Sequence, residues 1–112
     1  MTLKDRNIVL GVCGGIAIYK VVDLASKLTQ QGALVDVIMT EAAVKFVSPL
    51  TFQSVTQRPA VVDMFEPPAG MHIGHVSLAQ RADIIVIAPA TANTIAKLAC
   101  GISDNMLCTT VL

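Results

Sequence analysis

The chain is 112 residues long, 54% apolar and only 14% charged, against about 25% charged residues in an ordinary soluble domain. Such a composition excludes disorder, and the length allows one domain that buries roughly two-thirds of its unfolded surface. Eight basic and eight acidic residues balance to no net charge, and neither a basic stripe nor a set of aromatic platforms is present to bind nucleic acid.

The first apolar stretch, Ile8 to Leu10, is too short for a signal peptide, so the chain is expected in the cytoplasm. No run of about 18 apolar residues exists to span a bilayer. Residues 7–12 form an apolar run closed by Gly11 and the pair Gly14 and Gly15, after which Ile16, Val21, Leu24, Ala25 and Leu28 recur at helical spacing. This predicts strand, tight turn and helix. Gly32 ends that helix, and residues 33–39, rich in Val and Ile, predict a second strand parallel to the first. Thr40 caps a short helix and Pro49 opens another through Phe52 to Val55.

Residues 60–62 are expected to form a short third strand, and residues 63–74, with Pro67, Pro68 and Gly70, a mobile loop. A short helix over 75–81 follows. Residues 83–88 make a strand of the continuously apolar kind found in fully covered parallel sheets. Residues 93–100 are helical up to Gly101, and Ser103 with Asp104 caps a last segment, 105–112, read as helix although Thr109, Thr110 and Val111 also suit a strand.

Alternating strands and helices imply a doubly wound α/β parallel sheet, in which ligands bind beyond the carboxyl ends of the strands. Three loops qualify, residues 11–17, 39–46 and 89–94, and they should share one rim. With so few charges to coat it, some of the domain's apolar surface should be covered by another subunit.

The turn from Gly11 to Ala17 is neither the dinucleotide G-x-G-x-x-G nor a lysine-bearing phosphate loop. Gly14 and Gly15 either shape a turn or present backbone N–H groups to an anion at a helix start. The second strand ends in Met39 and Thr40 rather than the carboxylate that holds a dinucleotide ribose; Thr40 suits phosphate, or is only a cap. Thr91, Asn93 and Thr94 are uncharged donors for phosphate or a polar ring edge, and one of them also starts the next helix. His72 and His75 lack the carboxylate or cysteine neighbours of a metal site, so no metal is expected. His75 is either a general acid or base, since imidazole titrates near neutrality, or a plain surface residue. Cys13, Cys100 and Cys108 are odd in number and without C-x-x-C spacing, which predicts reduced, mostly buried thiols.

The segments GGIAIYK (14–20), MTEAAVKF (39–46), GHVSLAQRAD (74–83) and APATANTIAKLACGISDN (88–105) stand in the order and spacing of the flavin-dependent cysteine decarboxylases. The chain resembles that family over nearly its whole length, in particular its phosphopantothenoylcysteine decarboxylases, the N-terminal part of a bifunctional coenzyme A biosynthesis flavoprotein. The resemblance implies a Rossmann-like flavoprotein fold assembled as homotrimers, or trimers of trimers, with FMN held at the subunit contact. It implies that Gly14, Gly15, Ile16 and Ala17 lie against the flavin, that Thr40 and Phe46 add contacts, and that Thr91, Ala92, Asn93 and Thr94 form the main cofactor loop. His75 matches the catalytic histidine, a base or proton carrier at the substrate thiol.

The implied reaction is FMN-dependent decarboxylation of 4′-phosphopantothenoylcysteine, a small phosphorylated cysteine compound, to 4′-phosphopantetheine. Peptidyl-cysteine decarboxylases and prenyl-flavin synthases share the fold, and a non-catalytic flavin-binding regulatory subunit would keep the same pocket. The family's Pro-x-Met-Asn segment and its later flap cysteine have no counterpart before Leu112. Residues 1–112 are therefore expected to be an FMN-binding decarboxylase domain incomplete at its C-terminus, and none of the three cysteines matches the flap position.

Overall fold

Strands β1 (Asn7–Val12), β2 (Leu34–Met39) and β3 (Ile84–Ile87) lie side by side, all parallel, in the order β2-β1-β3. They belong to a computed structural model that describes residues 3–62 and 75–112, without the side chains of His75 and Val76. Helix α1 (Ile18–Gln30) connects β1 to β2, and α2 (Glu41–Val44) and α3 (Pro49–Thr56) follow β2. Helix α4 (His75–Arg81) leads into β3, and α5 (Ala92–Cys100) and α6 (Met106–Val111) follow it.

The first strand is apolar on both faces because both faces are covered. Ile8, Leu10 and Val12, two residues apart, enter one layer with Ile18, Val21 and Ala25 of α1 and Phe52 of α3. Val9 and Cys13 enter the opposite layer with Ile38, Leu78 and Leu107. Gly11 admits Leu107 so closely that a Cβ there would collide with it. Helices on both sides of a parallel sheet are the doubly wound arrangement expected from the alternation of elements. Phe52 is completely buried, and truncating it to alanine would cost about 3–5 kcal/mol.

Local signals end the helices as anticipated. Gly32, just past α1, has φ 91°, and Gly101, capping α5, has φ 75°, a region that side chains with a Cβ avoid. Ser48 accepts a hydrogen bond from the Leu50 N–H at the start of α3, with Pro49 in the first turn.

Four expectations need correction. Residues 60–62 do not form a strand: only Val61 bridges to Ile38, through Met39 N–H to the Val61 carbonyl (2.8 Å) and Val61 N–H to the Val37 carbonyl (2.9 Å). Pro59, with no N–H, cannot extend that ladder backward. The strand expected to be fully covered, β3, is an edge strand paired only with β1 among the described residues; Ile84 is 54% exposed and Ile85 to Ile87 are half-buried. An apolar run reports a preference for burial, which an interior and an edge position in the sheet share. Ile16, counted in the helical apolar stripe, is 84% exposed, because α1 starts only at Ile18. The cap of α6 is neither Ser103 nor Asp104: Asn105 Oδ1 accepts from Cys108 N–H at 2.8 Å, while Asp104 pairs with Lys97 at 3.0 Å.

The final segment is helix, with Met106, Leu107, Cys108 and Thr110 buried and the Thr110 hydroxyl donating to the Met106 carbonyl at 2.8 Å. The loop expected over residues 63–74, with His72, lies outside the described residues. Among the described residues no helix is long and apolar enough to cross a membrane.

Sequence reading also passed over Asp36. It sits in the middle of β2, 2% exposed, with the Arg58 Nη1 donating to both of its oxygens (3.0 and 3.1 Å) and the Arg81 Nη2 to Oδ2 (2.9 Å). The available signal was an acid within an otherwise apolar strand.

Candidate functional site

The three parallel strands end at the same edge of the sheet, and the loops leaving them meet there. Backbone hydrogen bonds hold them together. Thr40 N–H donates to the Val12 carbonyl (3.0 Å), Ala88 N–H to the Gly11 carbonyl (2.9 Å) and Cys13 N–H to the Pro89 carbonyl (3.1 Å). Between these loops lies a cavity of about 300 Å³. The loop after β1 contributes Gly14, the loop after β2 contributes Thr40, Glu41 and Ala42, and the start of α5 contributes Thr91, Asn93 and Thr94. Lys97, Asp104 and Asn105 complete its wall.

Gly14 is fixed by packing: a Cβ there would stand 2.7 Å from the Ala42 Cβ and 2.9 Å from its carbonyl carbon. Only glycine lets the loops after β1 and β2 approach so closely. Gly15 is different. Among the described residues a Cβ at that position would meet only Pro89, at 3.7 Å, an ordinary contact.

Thr40 and Thr91 both serve as helix caps, because each stands in extended backbone one residue before a helix and its Oγ1 reaches the N–H three residues on. Thr40 Oγ1 accepts from Ala43 N–H at 3.2 Å, and Thr91 Oγ1 from Thr94 N–H at 3.2 Å. Accepting that bond occupies a lone pair of Thr40 and leaves its proton to donate. Thr91 spends its proton on Thr94 Oγ1 at 3.2 Å, and Cys13 Sγ donates to the same oxygen at 3.3 Å. The Asn93 side chain makes no hydrogen bond to the described residues and is exposed at the rim. Capping and ligand binding are therefore compatible at Thr40, and Asn93 is the freest donor of the set.

Charge enters through Glu41 and through the Lys97–Asp104 ion pair. Lys97 and Asn105 also border α6, where burial pushes the Cys108 thiol above its ordinary range; the nearby positive charge of Lys97 opposes this. That thiol is a packed, neutral group.

Of the residues singled out from sequence, the fold brings Gly14, Thr40, Thr91, Asn93 and Thr94 to this cavity. Gly15, Ile16, Ala17, Phe46 and Ala92 do not line it. Ile16, Ala17, Phe46 and Ala92 are exposed beside it in sequence, Phe46 at 52%. His75 opens α4, and its side chain lies outside the described residues. Sequence reading missed Glu41, Ala42, Lys97, Asp104 and Asn105 as wall residues. Glu41 and Ala42 fall within the rim loop 39–46 without having been singled out, whereas the place of Lys97, Asp104 and Asn105 follows from where α5 and α6 pack, which no local pattern reports.

Against known proteins, the sequence profile of a family described as Flavoprotein matches residues 1–112. The chain is 54% identical over 110 residues to the coenzyme A biosynthesis bifunctional protein CoaBC of Bacillus subtilis (strain 168), covering 98% of this chain and 27% of that protein. It is 43% identical over 112 residues to the CoaBC protein of Escherichia coli (strain K12), covering 100% of this chain and 28% of that protein. The chain thus spans little more than a quarter of the length of these relatives. Among solved structures, the FMN-dependent cysteine decarboxylase SpaF superposes with a TM-score of 0.86 at 34% identity, over 98% of this chain and 63% of that one.

Proposed function

Because this chain belongs to the flavoprotein family over all of residues 1–112, we propose that it is the FMN-binding decarboxylase domain of a coenzyme A biosynthesis protein, converting 4′-phosphopantothenoylcysteine to 4′-phosphopantetheine and CO2. The observation that carries this reading is the cavity at the carboxyl ends of three parallel strands, ringed by Gly14, Thr40, Thr91, Asn93 and Thr94. The 54% identity to a CoaBC protein supports the substrate.

The rim fits a flavin mononucleotide. Neither a dinucleotide glycine fingerprint nor a carboxylate at the end of β2 is present, whereas Thr40 keeps a proton to donate. Among the described residues Gly15 has no packing reason to be glycine, since an added Cβ would meet only Pro89 there, at 3.7 Å, and close approach of a ligand to the backbone supplies one. The turn from Gly14 through Gly15 and Ile16 to Ala17, with Thr40 and Phe46, would hold one part of the cofactor, and the loop Thr91, Ala92, Asn93 and Thr94 another. The chemistry supplied by a flavin bound here is two-electron oxidation of the substrate cysteine to a thioaldehyde, from which CO2 leaves readily, and return of those electrons afterwards.

The chain's own residues bind, orient and move a proton. His75, at the first position of α4, would take the proton from the substrate thiol, a task suited to a group titrating near neutrality. Asn93 would donate to the cofactor, and the Thr91–Thr94–Cys13 hydrogen bonds keep the loop that carries it rigid.

Four large apolar side chains support a trimer with the cofactor at the contact: Ile16 is 84% exposed, Leu50 68%, Tyr19 64% and Phe46 52%. Apolar groups so open to water are better covered by a second copy.

The test uses the full gene product. The purified protein should be yellow, release FMN identifiable by mass, and liberate CO2 from 4′-phosphopantothenoylcysteine. Release of FAD or a nicotinamide dinucleotide sinks the cofactor assignment. CO2 from a C-terminal cysteinyl peptide alone would replace the substrate, a second reading that the likeness to the cysteine decarboxylase SpaF at 34% identity favours. Bound FMN without turnover on either substrate would make the protein a regulatory flavin binder. His75→Asn should abolish CO2 release while the flavin spectrum stays.

A further inference from the structure

We propose that Asp36 is a positioning residue, whose carboxylate on β2 holds Arg81 and so sets the orientation of α4 and the placement of His75 at its other end. This rests on the role given to His75 above.

Asp36 is 2% exposed and lies between Val35 and Val37, so its side chain points to the sheet face opposite theirs, the face of Val9 and Ile38. A carboxylate is costly in such a layer unless paired, and a hydrophobic residue of similar volume often does as well for stability. What an ion pair supplies there is one defined arrangement of the parts it joins. Asp36 joins two. Arg58 Nη1 donates to both of its oxygens, and Arg81 Nη2 donates to Oδ2 at 2.9 Å. The two arginines flank residues 63–74 in sequence, so chain on either side of that stretch is tied to a single carboxylate.

Helix α4 needs such a tie. It has seven residues, and among its described side chains only Leu78 is buried. Just past the helix Asp83 is held on β1, its N–H donating to the Asn7 carbonyl and its carboxylate accepting from the Asn7 N–H, both at 2.7 Å, so what is left to fix is the direction of the helix axis from that anchor. Leu78 stands three residues from His75 and three from Arg81, so it is the fulcrum, and movement at the Arg81 end is returned at the His75 end. Arg81 on Asp36 fixes that direction from the side of β2. A displacement of about 1 Å at a catalytic group is enough to cost on the order of 100-fold in rate.

The experiment is steady-state CO2 release by the full gene product carrying Arg81→Leu, which leaves Asp36 its bond to Arg58 and spares it an unpaired burial. The expected result is a kcat lower by about 10- to 100-fold, with KM within about twofold and flavin absorbance unchanged, the pattern of a lost transition-state geometry rather than lost binding. Arg81→Lys, which keeps the cation without the planar fork, should fall between the wild type and Arg81→Leu. If Arg81→Leu does not fold, the lower kcat of Arg81→Lys at unchanged KM is the deciding measurement. A wild-type kcat in either folded variant, or a loss that tracks flavin release, overturns the proposal while His75→Asn remains inactive. Normal turnover by His75→Asn instead overturns the reading of His75 and this proposal together.

Discussion

The thiol of Cys13, at the end of β1, donates to the hydroxyl of Thr94 on α5 at 3.3 Å, across 81 residues of sequence. The same oxygen receives the Thr91 hydroxyl at 3.2 Å, so one buried threonine ties a strand end to the first turn of a helix at the rim of the cavity. Thr94→Val keeps the shape and removes that acceptor. It should lower stability by about 1–3 kcal/mol, since the Thr91 hydroxyl loses its acceptor and the buried site its polar match. Urea unfolding of wild type and variant measures it, and a difference near zero would mean water replaces the bond at no cost.

Gly14 and Gly15 are adjacent in sequence and should respond oppositely to alanine. At Gly14 the new Cβ would meet Ala42 Cβ at 2.7 Å, which predicts a folding loss of about 1–3 kcal/mol from forced separation of the two loops. At Gly15 the nearest atom is 3.7 Å away, so stability should stay within about 0.5 kcal/mol while retention of the flavin falls. Thermal unfolding and absorbance at the flavin bands separate the two, and a Gly15→Ala protein as yellow as the wild type would remove Gly15 from the cofactor site.

Asn93→Asp exchanges a free N–H donor for a carboxylate at the rim. Facing a phosphate or the electron-rich edge of the flavin, the new charge repels and the donor is lost. A folded, colourless protein is expected, checked by circular dichroism beside the visible spectrum; a folded protein that stays yellow would place Asn93 outside the cofactor contact.

The three cysteines should differ in reactivity. Cys100 is exposed, whereas Cys13 and Cys108 are buried, and burial raises the Cys108 thiol from its ordinary 9.0. Alkylation near pH 8 followed by peptide mass mapping should therefore label Cys100 first. The pH dependence has a definite sign. Below 9.0 the Cys108 thiol is protonated in both folded and unfolded chains and its contribution is fully present. Above that value the unfolded chain ionises first, so stability falls as pH rises towards the higher folded value. Cys108→Ser should weaken this alkaline decline, and an unchanged decline would assign it to other groups.

Much of the fold can be read locally. A helix cap needs an oxygen and an N–H two or three residues apart, and a chain reversal after a helix needs a residue at ease with positive φ. Thr40, Ser48, Thr91 and Gly32 therefore announce their elements without any partner from elsewhere in the chain. The βαβ unit from Asn7 to Met39 and the meeting of three strand-end loops at one rim follow from such signals together with the parallel sheet they imply. Other features depend on contacts between distant segments. Residues 83–88 read as a fully covered strand, yet β3 stands at the edge because among the described residues only β1 hydrogen-bonds to it, and apolar composition is the same for both positions. Asp36 declares itself out of place in an apolar strand, but its meaning waits on Arg58 and Arg81, 22 and 45 residues away. Asp104 was a cap candidate until Lys97 came within 3.0 Å. Local chemistry determines where the chain turns and starts its helices; which charged and polar groups are then partnered is decided by the packing of helices on both faces of the sheet.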